Sequence, residues 1–466
     1  MPQRGHEAEK KHHQKKMEAK RLKCLLFTIC LLGSCIKASG QRFKVDSLYY
    51  FKTSDSTCEV TYNPGAESTF QKYKGEIVIP DQVSYNGTTL KVTAIGSEAF
   101  YGSVFMTKVK IGNNVNTIGE MAFSQCNGLT TFTIPNSVKT IGKYAFHYCS
   151  ITDMYIGSAV DSISSDAIQN CYYLTNINVD KANKTFADVD GILYSKDLSS
   201  ILRFPENKQQ TTFTIPNNVK VIGSGAFSGH RFLTNVTIPN SVTAIGDYAF
   251  SQCTNLTSIN IPNSVTEIGS RAFLACEKLA SANIPDGIKT VERYTFSGAP
   301  ITSIIIPNSV VTIKGYAFSR CSLANVRIGN SVEIIEECAF QNNKDLTEII
   351  LPSSLTKIED ASFSGCSNLT AVYSLNPTPP SSGHSICDKA VYSNATLYVP
   401  TGSLSAYKEA YGWNRFINIQ ETDPAGIKTT TADGPGKMYI YNLQGRKLGN
   451  PQRGLNIING KKVMVK

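Results

Sequence analysis

The sequence predicts a β-rich repeat solenoid closed by a small β module at its C-terminus, and three observations carry that expectation. One phrase recurs eleven times. At Ile261–Phe273 it reads Ile-Pro-Asn-Ser-Val-Thr-Glu-Ile-Gly-Ser-Arg-Ala-Phe, and near-copies end at Phe100, Phe123, Phe146, Ile168, Phe227, Phe250, Phe296, Phe318, Phe340 and Phe363. Most successive end points lie 22 or 23 residues apart. At such a period each unit is one piece of supersecondary structure that buries its apolar face only against its neighbours. Gly, Pro, Asn, Ser and Thr are plentiful and long charged helical stretches are scarce, which favours short strands and turns. A solenoid offers long exposed faces and seldom a deep catalytic pocket, so binding is the expected class of function.

The elements follow in chain order. Residues 1–40 read as an N-terminal extension and export signal: a basic stretch from Met17, a short apolar run from Cys24 to Gly33, and small residues Ala38-Ser39-Gly40 before Gln41. The apolar run is too short to anchor in a bilayer. An alternative places a lipid on Cys35, after Leu32-Gly33-Ser34. Residues 41–90 hold strand-like runs at Val45–Phe51, Cys58–Tyr62 and Gly75–Ile79 and are expected to cap the open end of the stack.

The repeats occupy 91–375. Their unit is clearest at Leu256–Cys276. Ile259 and Ile261 alternate inward in a first strand. Pro262-Asn263-Ser264 turns the chain. Val265 and Ile268 form a second extended segment, Gly269 permits a sharp bend, and Ser270–Cys276 is one helical turn that points Ala272 and Phe273 inward. Strands of adjacent units should pair in parallel about 4.8 Å apart.

Between Ile168 and Phe227 the gap is 59 residues. A β-hairpin near 180–210, with Val189–Tyr194 and Ile201–Phe204 flanking Ser195–Ser200, accounts for it; so does a degenerate twelfth unit with a shorter insertion. Residues 376–422, with the only Trp, Trp413, read as the second cap. A Thr/Gly linker spans 423–435. The tail, 436–466, holds strand pairs, with Asn459-Gly460 as a hairpin turn.

Repetition also identifies the core. Phe123, Phe146, Phe227, Phe250, Phe273, Phe296, Phe318, Phe340 and Phe363 share one slot behind a small residue, usually Ala, and are expected to form an internal spine. Seven cysteines, Cys126, Cys149, Cys171, Cys253, Cys276, Cys321 and Cys366, fall three residues after the end point, where other units carry His230, Ala299 or Asn343. A slot shared by such residues is small and buried, so a row of free thiols is expected in place of disulfides or a metal site.

Charge excludes one class of partner. The formal net charge is +10. Residues 1–40 contribute +6 and residues 436–466 contribute +7, which leaves the body at −3. A nucleic-acid binder needs a basic face on its folded body, so no nucleic-acid partner is expected.

The unit Leu-x-x-Ile-x-Ile-Pro-Asn-Ser-Val-Thr-x-Ile-Gly-x-x-Ala-Phe-x-x-Cys resembles the BspA-type, or Treponema pallidum-type, leucine-rich repeat. The opening Phe43–Tyr50 is similar to exported members from Bacteroides and related bacteria. Tyr439–Arg446 with Gly454–Lys466 resembles the C-terminal sorting domains of that phylum. The resemblance implies a right-handed leucine-rich-repeat arc of short parallel strands with turns and short helical turns. It implies a place on the cell surface or outside the cell, and adhesion to a host or bacterial surface protein; a glycan or nutrient-capture role is the alternative. No binding motif comes with it.

No chemistry stands out. Only His147, His230 and His384 lie beyond the signal segment, and no nucleophile set or His-Glu-x-x-His occurs. No enzyme activity, cofactor, metal or transmembrane helix is expected, and the chain is expected to act as a monomer. The candidate surface is the outward position of each first strand: Thr133, Tyr155, Asn178, Thr214, Thr237, Asn260, Asn283, Ile305, Arg327, Ile350 and Tyr373. Tyr and Arg commonly anchor protein interfaces.

Overall fold

The computed structural model describes residues 41–64 and 73–422, together with four short strands at 440–441, 447–448, 454–458 and 461–465. Residues 1–40, with the expected export signal and Cys35, and the expected linker at 423–435 lie outside the described residues.

Most units contribute two strands to two separate parallel stacks. The first strands form a front face in which, for example, Tyr155 pairs with Thr133 on one side and Asn178 on the other. The second strands are two residues long and pair one unit apart, as Ile118 with Ile141 and Ile141 with Ile163. Their inward Val and Ile side chains meet those of the front strands in the core.

The spine is present. Phe227, Phe250, Phe273 and Phe296 are fully buried. Their ring centroids are 4.9, 5.3 and 5.2 Å apart, and successive rings are parallel within 5°. Ring spacing therefore follows strand spacing and lies within the centroid range that favourable aromatic pairs adopt.

Two local expectations need correction. The Ser270–Cys276 segment is a run of turns, not a helical turn. Arg271 and Ala275 have φ of 59° and 55°, so their carbonyls and amides do not point along a helix. Instead alternate N–H groups donate to the next unit, as Phe250 N to Ala272 O at 2.8 Å and Gln252 N to Leu274 O at 2.7 Å. Inter-unit bonds thus replace the i→i−4 bonds of a helix. Gly269 does not supply the bend through an unusual φ either. A Cβ there would lie 2.4 Å from Asp247 N, so this glycine is needed for close approach of neighbouring backbones.

The 59-residue gap resolves as a degenerate twelfth unit with an insertion. Phe186–Val189, Ile192–Ser195 and Ser200–Arg203 form an antiparallel meander, so the expected hairpin is present. Its last strand rejoins the second-strand stack, with Ile201 paired to Ile222. Phe204 then enters the spine, 5.1 Å from Phe227, and its N–H donates to Ala226 O at 2.7 Å.

The meander's middle strand divides the hydrophobic interior. Leu193 packs with the N-terminal cluster, and Ile192 and Tyr194 pack with the C-terminal one. A strand sends alternate side chains to opposite sides; here both sides are core. Asn183 fixes the entry to the meander: its amide donates to Gly157 O and Val160 O and accepts from the Thr185 and Phe186 amides.

At the N-terminal end, strands 42–45, 48–52 and 57–61 form a meander, broken at Asp46 with φ of 52°. The third strand pairs in parallel with Thr88–Ile95 and continues the second-strand stack. At the other end, strands 396–400 and 418–422 extend the front face. Trp413 is buried there and donates its indole N–H to Pro380 O at 2.7 Å. In the tail, strand 454–458 pairs antiparallel with 461–465, on either side of Asn459-Gly460.

Candidate binding surfaces

The outward row of the front face lies in register over most of its length. Thr214 pairs with Thr237 and Thr237 with Asn260; Ile305 pairs with Arg327, and Ile350 with Tyr373. Thr133, Tyr155, Asn178, Thr214, Thr237 and Asn260 are exposed. Ile305 is 50% exposed, while Arg327, Ile350 and Tyr373 are half-buried. Tyr398, from the C-terminal strand, stacks on Tyr373 at 4.7 Å and lengthens the row.

The row has three breaks, one of them between strands 325–327 and 348–351, which belong to separate sheets. The meander separates Asn178 from Thr214. Asn283 is not presented as a free side chain, because its amide donates to Ile261 O and accepts from Ile261 N, both at 2.8 Å. Its unit reads Ala280-Ser281-Ala282, which are poor strand formers, and only an isolated bridge forms at Ser281. The Asn283 side chain takes the place of the missing strand bond.

The thiol row is built with more chemistry than its slot size suggests. Each Sγ donates to the carbonyl of the preceding unit's spine residue: Cys126 to Phe100 O at 3.1 Å, Cys253 to Phe227 O at 3.1 Å, Cys276 to Phe250 O at 3.0 Å. Asn343 does the same to Phe318 O at 2.9 Å. The slot wants a small donor. All ten cysteines among the described residues are free and buried. Burial pushes the Cys126, Cys276 and Cys321 thiols up to about 12, so they remain protonated and unreactive at neutral pH. Among the described residues no cluster of three or more His, Cys, Asp or Glu is placed to hold a metal ion.

His230 fills a Cys slot. Its Nε2 lies 2.9 Å from Lys208 O, and its Nδ1 accepts from Phe232 N and Leu233 N. This fixes the neutral tautomer with the proton on Nε2. Burial lowers its pKa to about 4.

Sequence reasoning missed three features. Arg203 and Glu206 form a fully buried ion pair beside the meander. The guanidinium also donates to Gly225 O at 2.7 Å and Ile168 O at 3.1 Å; the φ of Gly225 is 65°, a conformation that favours glycine. Burial pushes the Glu206 carboxyl up, and the Arg203 charge opposes that shift.

Secondly, Tyr248, Arg271, Tyr294 and Tyr316, one per unit, stand two residues before the spine Phe. The Arg271 guanidinium lies 5.4 and 4.7 Å from the Tyr248 and Tyr294 ring centroids, and Tyr294 stacks on Tyr316 at 4.7 Å. Thirdly, Tyr148, Tyr172 and Tyr173 cluster on the turn face. The signal for both was aromatic residues at positions where other units vary, which a search for repeated residues discards.

Comparison with known proteins decides the family. The BspA type leucine rich repeat region matches residues 93–202, 203–322 and 289–398. The chain belongs to the BspA-type leucine-rich repeat family. A leucine-rich repeat protein from Eubacterium ventriosum is 26% identical, with a TM-score of 0.56 over 70% of this chain and 95% of that one. A leucine-rich repeat protein from Bacteroides ovatus is 25% identical over 82% of this chain and 100% of that one, with a TM-score of 0.47. A leucine rich cell surface protein from Faecalibacterium prausnitzii is 22% identical over 72% and 95%, with a TM-score of 0.38. Of these three, the first supports the fold; the other two scores are too low to carry an argument. No curated protein matches. Membership of this leucine-rich repeat family is consistent with protein–protein interaction. Among the described residues no helix is long and apolar enough to cross a membrane.

Proposed function

We propose that this BspA-type protein is an exported, cell-surface scaffold without catalytic activity that adheres to a protein on a host or bacterial surface. The front face is the docking strip. Its C-terminal half, Ile305, Arg327, Ile350 and Tyr373, supplies the anchors, and the Thr/Asn half supplies hydrogen bonds at the rim.

The observation that supports this reading most is Ile305. A large aliphatic side chain stands half-exposed on a regular strand, paired with Arg327. Apolar and Arg/Tyr anchors at the centre of a patch with polar flanks are the usual composition of a protein interface. Export by the 1–40 segment and surface retention by the 436–466 tail complete the proposal, and the charge of both segments then serves the export machinery, not the ligand.

The test is binding of the full chain to a panel of purified matrix proteins and bacterial surface proteins by biolayer interferometry. The triple variant Ile305→Asp, Arg327→Ala, Tyr373→Ala should lose at least about a hundredfold in affinity, since interface anchors often cost 2 kcal/mol or more each. Equal binding by that variant would move the site elsewhere. Surface labelling of cells that express the chain without 436–466 tests the retention half.

A further inference from the structure

We propose a second binding site, for a neutral oligosaccharide, in the cleft that three successive units form on the turn face. It is separate from the front strip. The cleft has a volume of about 470 Å³ and is lined in part by Gln125 and Asn127 of one unit, Tyr148 of the next, and Asn170, Tyr172 and Tyr173 of the third. Its lining side chains carry no formal charge at neutral pH.

The aromatic groups are presented, not packed away. Tyr148 is 43% exposed and Tyr173 is 57% exposed. Tyr173 makes no side-chain hydrogen bond or ring contact among the described residues. Tyr172 is held from one face by the Arg231 guanidinium, 4.4 Å from its ring centroid. Tyr148 leans on the His147 ring at 4.2 Å and on Tyr172 at 6.0 Å. Three tyrosines together at a soluble surface carry a hydration cost unless something covers them. The Tyr248–Tyr316 ladder differs, because its rings and its Arg271 largely cover one another.

The polar groups between the rings are preorganised. Asn170 has φ of 61° and its N–H donates to Glu206 Oε1 at 2.9 Å. The carboxylate is in turn held by buried Arg203. The Asn170 amide nitrogen is 2.8 Å from His147 Nε2, and its Oδ1 accepts from Tyr172 O–H at 3.3 Å. Burial lowers the His147 pKa, so the ring is neutral and accepts that bond. One N–H and one lone pair of Asn170 remain for a ligand. The Gln125 and Asn127 side-chain amides make no hydrogen bond among the described residues.

Exposed rings beside unoccupied amides select a ligand class. A pyranose has one flat C–H face to lay on a ring, and adjacent hydroxyls that each donate and accept. An amide can donate to one hydroxyl and accept from its neighbour. A phosphate, sulfate or carboxylate would need a cation in the cleft, and Arg231 is already committed to the Tyr172 ring. A peptide would need apolar depth, which this shallow cleft lacks. Small-ligand sites commonly pair apolar faces with a few placed polar groups in this way. The meander supplies the Arg203–Glu206 pair that fixes Asn170, which gives the insertion a role in shaping the cleft.

The experiment is a screen of the full chain on an array of neutral and acidic oligosaccharides, followed by calorimetry and saturation-transfer NMR with the neutral oligosaccharide that binds best. Neutral oligosaccharides should bind, with saturation transfer strongest on the sugar C–H protons. Tyr173→Ala should weaken binding about tenfold or more, the equivalent of one ring stack. Tyr173→Phe should stay within about threefold, because the ring is kept. Tyr173 is on the surface, so both variants should melt with the parent. Arg327→Ala, on the front face, should leave sugar binding unchanged while weakening any protein partner, which separates this site from the front strip. Absence of any neutral glycan ligand at millimolar concentration, preference for acidic glycans, or binding that survives Tyr173→Ala would overturn the proposal.

Discussion

Replacing Phe250 by alanine is the sharpest test of the stack. The ring is fully buried and lies between Phe227 and Phe273, at 4.9 and 5.3 Å and nearly parallel to both. Large-to-small substitution of a buried Phe costs about 3–5 kcal/mol, and the cost grows with the cavity that remains. Here the walls are poorly able to close. The spine backbone is tied on both sides, by Phe227 N to Ala249 O at 2.7 Å and Phe250 N to Ala272 O at 2.8 Å, so neither neighbour can slide in without breaking inter-unit bonds. The loss should therefore fall in the upper part of that range, about 4–5 kcal/mol. Phe363 provides the contrast. Its only ring neighbour in the spine is Phe340, at 5.4 Å, and on the other side its N–H donates to Ile386 O. Phe363→Ala forfeits one ring pair where Phe250→Ala forfeits two, and should cost about 1 kcal/mol less. Urea unfolding followed by circular dichroism gives both values, and coincident fluorescence transitions establish whether the repeats unfold as one unit. A loss below about 1 kcal/mol for Phe250→Ala, or a larger loss at Phe363, would refute the account of the spine.

Three further outcomes follow. The seven repeat thiols should resist alkylation in the native protein and all react in denaturant, read by mass spectrometry; a disulfide between units would contradict the Sγ-to-carbonyl row. His230 should make stability depend on pH. Its folded pKa near 4 lies below the ordinary value of 6.5, so the unfolded chain binds the proton first, and stability is lost as pH falls from about 6.5 toward 4, by up to about 3 kcal/mol. His230→Cys restores the common residue of the slot and should flatten that slope. Arg203→Met should destabilise by about 3–5 kcal/mol because it strands the Glu206 carboxylate, and adding Glu206→Gln should recover part of the loss; full stability of Arg203→Met alone would show that the pair is not buried.

Much of the fold was legible because each slot is written many times. Phe at the end of ten of the eleven copies, with Ile168 at the other, leaves little choice but a stacked core, and the Ile259/Ile261 alternation sets which strand face is outward. The turn was not legible. Its positive-φ positions carry Tyr144, Tyr248, Arg271 and Gln252 more often than Gly, so local propensity gives no sign of them; they are stable because bonds to the next unit repay the strain. The twelfth unit was obscured for a related reason. Arg203 stands where other units have a small residue before the Phe, and the partners that hold it there, Ile168 O, Gly225 O and Glu206, are spread over three units and cannot be read from the linear pattern.

The same logic explains why the structural core was easier to read than the surfaces. Repetition reports what every unit needs in order to stack, and stacking needs the inside. A ligand-binding group is under no obligation to recur. Gln125, Tyr148 and Asn170 stand two residues after the end points of three consecutive units, so the register stacks them, but that slot and the one holding Tyr173 vary from unit to unit, and nothing in the repeat marks these units as the ones that form a cleft. Asn283 shows the converse: it sits in the repeated outward row, yet its amide is spent on the Ile261 backbone. In this chain, then, agreement with the repeat marks what holds the scaffold together, and departure from it at adjacent units, especially beside the one insertion, marks where recognition is to be sought.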